Sequence, residues 1–220
     1  MKGILFDLDG TLLDSMPVWV SLAENYLKQL GVEPPKDLRK QIKAMTLKEA
    51  MIHFKEQFAL DDDVEEMIAA AFRILSESYR STIALKPHVR EVLERLHEKG
   101  VPMAVATATT DELSKPAIEH HGLHRYFSFV QTVANSGYTK REKEFWEAGA
   151  ARLGMDPKDI VVFEDALHAM ESAKAAGMRV IAIEDESARR DAEAIRSVAD
   201  VCLSSFEEFR PEHLEGTSGS

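Results

Sequence analysis

Beyond residue 83 the chain alternates short, uninterrupted apolar runs with longer stretches whose apolar residues recur at helical spacing. The runs at residues 102–106, 160–163 and 180–183, with an earlier one at 4–6 and a weaker one at 201–203, are continuous, as strands buried on both faces of a parallel sheet are. Between them, a helix is predicted to start near Pro87, to carry Val89, Val92, Leu93 and Leu96 on one side and to stop at Gly100. The same rhythm continues past Leu153-Gly154 and Ala176-Gly177. The pattern predicts an α/β fold, a doubly wound, Rossmann-like parallel sheet with right-handed crossovers.

Residues 16–82 break the alternation, because they hold no convincing strand and place Leu, Met, Ala, Phe, Lys and Glu at helical intervals. They predict an inserted α-helical cap. Pro34-Pro35 and Asp61-Asp62-Asp63 mark turns between its helices, with Asp63 placed to cap one of them. The expected organisation is an α/β core of residues 1–15 and 83–215, a cap of residues 16–82 hinged over the sheet as a lid, and a small polar tail at 216–220 left out as disordered.

With 45% hydrophobic residues in 220, the chain can bury a core of this size. Its formal charge of −11 opposes binding to nucleic acid or anionic lipid, and no basic block offsets it. The apolar stretch at residues 3–6 is too short for a signal peptide and no segment is long enough to span a membrane, so a cytoplasmic enzyme is expected. The single cysteine, Cys202, lies in an apolar run and is predicted to be a buried, inert thiol.

In open α/β sheets, ligands bind beyond the carboxyl ends of the strands. Three of the predicted strands end in Asp7-Leu8-Asp9-Gly10-Thr11, in Thr107-Ala108-Thr109 and in Glu164-Asp165. Converging carboxylates raise one another's pKa unless a cation lies among them, and a set of oxygen donors without clustered His or Cys favours magnesium (Mg2+). Magnesium held this way commonly binds substrate phosphate as well, which implies a small phosphorylated metabolite as partner. A carboxylate at such a site can attack phosphorus, and a second one two residues on can protonate the leaving oxygen. Gly10 permits a tight turn with N–H groups directed at the phosphate.

The run Asp7-Leu8-Asp9-Gly10-Thr11-Leu12-Leu13-Asp14-Ser15 resembles the signature of the haloacid dehalogenase-like hydrolase superfamily, in its phosphatase and phosphomutase branch. Thr107 after Ala104-Val105-Ala106 is similar to the second motif, and Glu164-Asp165 followed by Ala173-Lys174-Ala175-Ala176-Gly177-Met178 to the fourth. The resemblance implies that Asp7 is nucleophile and metal ligand, that Asp9 is general acid/base and a backbone-carbonyl ligand, and that Asp165 is a further ligand, with Glu164 a direct or indirect partner. It also implies that Thr107 and the N–H of Ala108 bind the phosphoryl group, and that a lysine offsets its charge. That lysine is Lys140 or, failing it, Lys143; Arg141 stands where proline is usual, and Ala169 where glycine is frequent.

The resemblance favours a phosphatase over its alternative, a β-phosphoglucomutase-like sugar phosphomutase, because Trp19 and Leu47 occupy the cap positions of a mutase histidine and arginine. Lys48 remains a substitute for that arginine. A catalytically silent binding module is the alternative from another class, set against the intact Asp7, Asp9 and Asp165. Trp19, Met45, Lys43, Lys48 and His53 are candidate substrate contacts; Asp14 is expected to fix its loop, Ser15 to cap a helix, and His120, His121 and His168 to be structural.

Overall fold

Residues 2–42, 45 and 47–215 are described by a computed structural model, in which the chain divides into two units, Met1–Ser15 with Ile83–Ser220, and Met16–Thr82. The first strand, β1 (Gly3–Phe6), is buried along its whole length. Four helices make up the second unit: α1 (Met16–Gln29), α2 (Leu38–Ile42), α3 (Leu47–Gln57) and α4 (Val64–Ser81). Met67, Ala71, Leu75 and Tyr79 recur every fourth residue along α4 and are all buried, as one face of a helix requires. The α4 start is fixed by Asp63, whose carboxylate accepts the Glu65 N–H at 2.8 Å. Lys43 and the 216–220 tail lie outside the described residues.

The chain then runs through α5 (Val89–Glu98), β2 (Met103–Thr107), α6 (Asp111–His120), β3 (Val130–Thr132), α7 (Val133–Ser136), α8 (Lys143–Leu153), β4 (Ile160–Glu164), α9 (Leu167–Ala175), β5 (Arg179–Ile183), α10 (Ala192–Val198) and β6 (Val201–Leu203). All strands pair in parallel, in the order β3-β2-β1-β4-β5-β6. The chain thus builds outward from β1 to one edge and returns to lie on its other side as β4. This reversal places the crevice at the tips of β1 and its two neighbours.

Side chains alternate between the faces of the sheet. Phe6 and Phe163, paired in register, stack at 4.7 Å, and Phe206 stacks on Phe163 at 5.7 Å. Leu5 and Val162 instead join Phe145, Trp146, Ala169 and Met170 from α8 and α9 in the second apolar cluster. Complete burial of such side chains contributes about 1.5–3 kcal/mol each, which holds the strand tips in a fixed relation.

Two expectations need correction. The strand β3 carries the buried polar residues Gln131 and Thr132, so its three residues did not stand out as an apolar run. Cys202 is exposed rather than buried, because β6 is an edge strand and Cys202 falls on the opposite side of it from buried Leu203. Among the described residues no helix is long and apolar enough to cross a membrane.

Where the second unit interrupts the first, the strands of chain entering and leaving are tied together. Asp14 N–H donates to the Ala84 carbonyl and Lys86 N–H to that of Leu12, both at 2.9 Å, and Leu13 and Leu85 form an antiparallel bridge.

Candidate active site

The parallel register pairs Phe6 with Phe163, so the next residue on each strand, Asp7 and Glu164, arrives at the same level of the tip. Asp165 follows at once. One oxygen from each of Asp7, Glu164 and Asp165 lies within 4.8 Å of the others, and all three residues are buried. Lys140, in the loop before α8, reaches this cluster: its Nζ is 2.6 Å from Asp7 Oδ1 and 2.5 Å from Glu164 Oε2. Lys143, three residues on, is exposed and pairs with Glu147 at 3.0 Å one turn along α8. The fold therefore brings Lys140 to the carboxylates and leaves Lys143 outside.

The remaining oxygens are unequally engaged. Glu164 Oε1 accepts the N–H groups of Asp165 at 3.3 Å and Ala166 at 3.0 Å, so both its oxygens are occupied. Asp165 Oδ1 accepts the Thr11 hydroxyl at 3.2 Å. Asp7 Oδ2 is buried and has no hydrogen-bond partner. Leaving a buried carboxylate oxygen unpaired is costly, and a cation removes that cost.

The electrostatics agree. Burial pushes the Glu164 carboxyl up, as does the Asp7 charge, to about 7 in spite of Lys140. Burial, then the charges of Glu164 and Asp7, raise Asp165 well above the ordinary range. Burial pulls the Lys140 ammonium down, but Asp7 and Glu164 outweigh it and hold the proton on more tightly. With all three carboxyls ionised, the Lys140 ammonium would leave two negative charges, which a divalent cation would balance. The donors are hard oxygens throughout, the set that suits magnesium.

Asp9 lies two residues beyond Asp7, but its carboxylate does not enter the cluster. Its Oδ1 accepts the Ser15 hydroxyl at 2.7 Å and its Oδ2 the Thr109 hydroxyl at 2.6 Å. Ser15, expected to cap α1, is fully buried and gives its proton to Asp9. Asp14 is exposed, and its backbone N–H ties the loop by donating to the Ala84 carbonyl. Gly10 is required by geometry: its φ is +86°, and a Cβ there would sit 2.5 Å from Asp165 Oδ2. Its own N–H donates to the Leu13 carbonyl at 2.9 Å, so Gly10 closes the loop rather than presenting that N–H to a phosphate.

Thr107 ends β2 almost completely buried, and its Oγ1 accepts the Thr109 N–H at 3.0 Å, a bond that leaves the hydroxyl proton to be given elsewhere. Ala108 is exposed beside it. Ala169 is fully buried in the α9 packing. His121 Nε2 lies 2.9 Å from the Ile83 carbonyl, His120 packs edge-on against His121, and burial lowers the pKa of half-buried His168. The sequence reasoning missed Thr11, Ser15 and Thr109 as partners of the acids. Only Ser15 lies near its acid in sequence; Thr11 and Thr109 meet acids on distant strands, where no local pattern could have pointed to them.

Within the helical unit, the Trp19 indole donates to the Tyr79 hydroxyl at 2.7 Å, and exposed Lys48 pairs with Glu65 at 2.7 Å. His53 Nε2 lies 3.4 Å from Gln41 Oε1, Leu47 is half-buried at the start of α3, and Met45 is exposed.

A family model described as haloacid dehalogenase-like hydrolase matches residues 4–183. Hexitol phosphatase A of Escherichia coli is 32% identical over 217 residues, covering 94% of this chain and 93% of that protein. A phosphorylated carbohydrates phosphatase of Thermotoga maritima is 27% identical over 184 residues, 82% of this chain and 84% of its own. Among solved structures, CbbY from Rhodobacter sphaeroides in complex with phosphate superposes with a TM-score of 0.74 at 22% identity, over 94% of this chain and 96% of that one.

Proposed function

Since the chain belongs to the haloacid dehalogenase-like hydrolases, we propose that it is a magnesium-dependent phosphatase acting on a small sugar or polyol phosphate, with Asp7 as nucleophile. The observation that carries this is the buried, unpartnered Oδ2 of Asp7, set among acids against which the described residues bring the one ammonium of Lys140. The substrate class follows the relatives named for phosphorylated carbohydrates and hexitols. A reducing, cytoplasmic setting suits a chain with a single, exposed cysteine.

Asp7 and Asp165 would hold the magnesium with the backbone carbonyl of Asp9, while Glu164, its oxygens already taken, fixes Lys140 and the Asp165 turn. When bound, the ion would offset negative charge on the phosphoryl oxygens. An Asp7 oxygen forms the bond to phosphorus as the bond to the leaving alcohol oxygen breaks, and protonated Asp9 gives its proton to that oxygen. Water then attacks the aspartyl phosphate, Asp9 takes the proton, and phosphate leaves Asp7 free. Ser15 and Thr109 orient the Asp9 carboxyl. The Thr107 hydroxyl and the Ala108 N–H would bind the phosphoryl oxygens, and Lys140 would carry the balancing charge. Hydrolysis is favoured over return transfer because the relatives that span this chain are named as phosphatases.

Phosphate release should be measured from hexitol phosphates, sugar phosphates and p-nitrophenyl phosphate, with magnesium and with EDTA. Release that needs the metal is expected. No release from any ester, or equal release in EDTA, overturns the proposal.

A further inference from the structure

Lys140 is the one site residue that comes from a loop between two helices rather than from a strand tip or the turn after it. Its charge has to be held to a fraction of an ångström by backbone with no ladder of its own. Two fully or nearly buried side chains supply the missing restraint. The Trp146 Nε1–H on α8 donates to Ser172 Oγ on α9 at 2.8 Å. Ser172 Oγ lies 2.5 Å from the Lys140 carbonyl and 2.9 Å from that of Ala169, so its proton is directed at the backbone of the loop and of α9. The face of the Trp146 ring also lies under the Lys140 ammonium, 5.3 Å from the ring centroid.

We propose that Trp146 and Ser172 are positioning residues for the reaction: they bolt the Lys140 backbone to α8 and α9 and so aim its ammonium at Asp7 and Glu164. The alternative, that they merely fill the core, does not require their polar atoms to meet. Burying an indole N–H and a hydroxyl in an apolar cluster is unfavourable unless both are bonded, and an Ala and a Phe would fill most of the same space. The bolt also explains how a loop with Arg141 after the lysine, where a proline would stiffen the backbone, holds its geometry. A long side chain loses about 2 kcal/mol of rotamer freedom when fixed, and anchoring its backbone limits how much of that fixing falls to the salt bridges.

The catalytic part of this proposal rests on the phosphatase activity; the bolt itself does not. The test compares Ser172→Ala, Trp146→Phe and the double variant in full-length protein with magnesium. Each single change should lower kcat about tenfold with KM altered less than about twofold, and the double variant should be no slower than the worse single one. In parallel, the ammonium signal of Lys140 in 15N-lysine protein, assigned by its loss in Lys140→Arg, should be sharp in the parent and broadened in each variant. Unchanged kcat in both single variants, or losses that multiply in the double variant, would overturn the proposal. If the parent protein hydrolyses no ester, the phosphatase activity fails separately, and an ammonium signal unaffected by Ser172→Ala then overturns the bolt on its own.

Discussion

The two units use polar groups in opposite ways. In the sheet unit, Asp7, Lys140, Glu164 and Asp165 are buried, and each leans on another. In the helical unit, the ion pair of Lys48 with Glu65 is open to solvent and closes locally between neighbouring helices. A charge buried in a packed interior costs free energy that only its partners return, whereas a solvated pair costs and returns little. Burial of the first kind is retained where chemistry needs it; pairs of the second kind are the ordinary furniture of a helical surface.

The sharpest way to break this contrast is Asp7→Asn. It should reduce phosphate release to background while the circular dichroism spectrum stays unchanged, and substantial turnover would remove the nucleophile from Asp7. Asp9→Asn comes next, with kcat lower by about 10²- to 10⁴-fold in steady-state kinetics. Lys140→Ala strips the counter-charge from buried carboxylates and should cost about 3–5 kcal/mol in denaturant unfolding together with activity. Lys143→Ala should leave both as they were.

A subtler effect separates the units by pH. Glu164, with a pKa of about 7 in the fold against 4.5 for an ordinary glutamate, binds its proton more tightly when folded. Its contribution to stability is therefore full below the lower value and is lost as pH rises through the higher one. Asp165, raised for the same reasons, acts in the same direction. Lys140, raised from 10.5, keeps its contribution throughout this range. The melting temperature of metal-free protein should fall between about pH 5 and 7, and magnesium should restore more of it at pH 7.5 than at pH 5. The smallest effect belongs to the helical unit: Trp19→Phe removes the bond to Tyr79 and should cost about 1 kcal/mol with kcat unchanged.

Much of the sheet was legible because buried parallel strands leave continuous apolar runs, and because each run that matters here ends in a carboxylate or hydroxyl. The register that sets Asp7 beside Glu164 then follows from hydrogen bonding between β1 and β4. What escaped was whatever depends on a partner far away in sequence. Gln131 and Thr132 are buried polar residues whose strand exists through pairing with β2, and Ser172 looks like any small residue on α9 until Trp146 meets it. Cys202 was misplaced because an edge strand shows the same apolar letters as a central one but covers only part of them. Lys140 and Lys143 differ by three positions on paper, and only the turn into α8 decides which faces inward.

The stitched crossing at Leu12–Asp14 and Ala84–Lys86 has an evolutionary consequence. A segment whose two ends are clasped at one place can be lengthened, shortened or exchanged without re-threading the sheet, since the clasp and not the segment sets where the chain resumes. The sheet can thereby tolerate a change in the length of residues 16–82 with its own strands still in register.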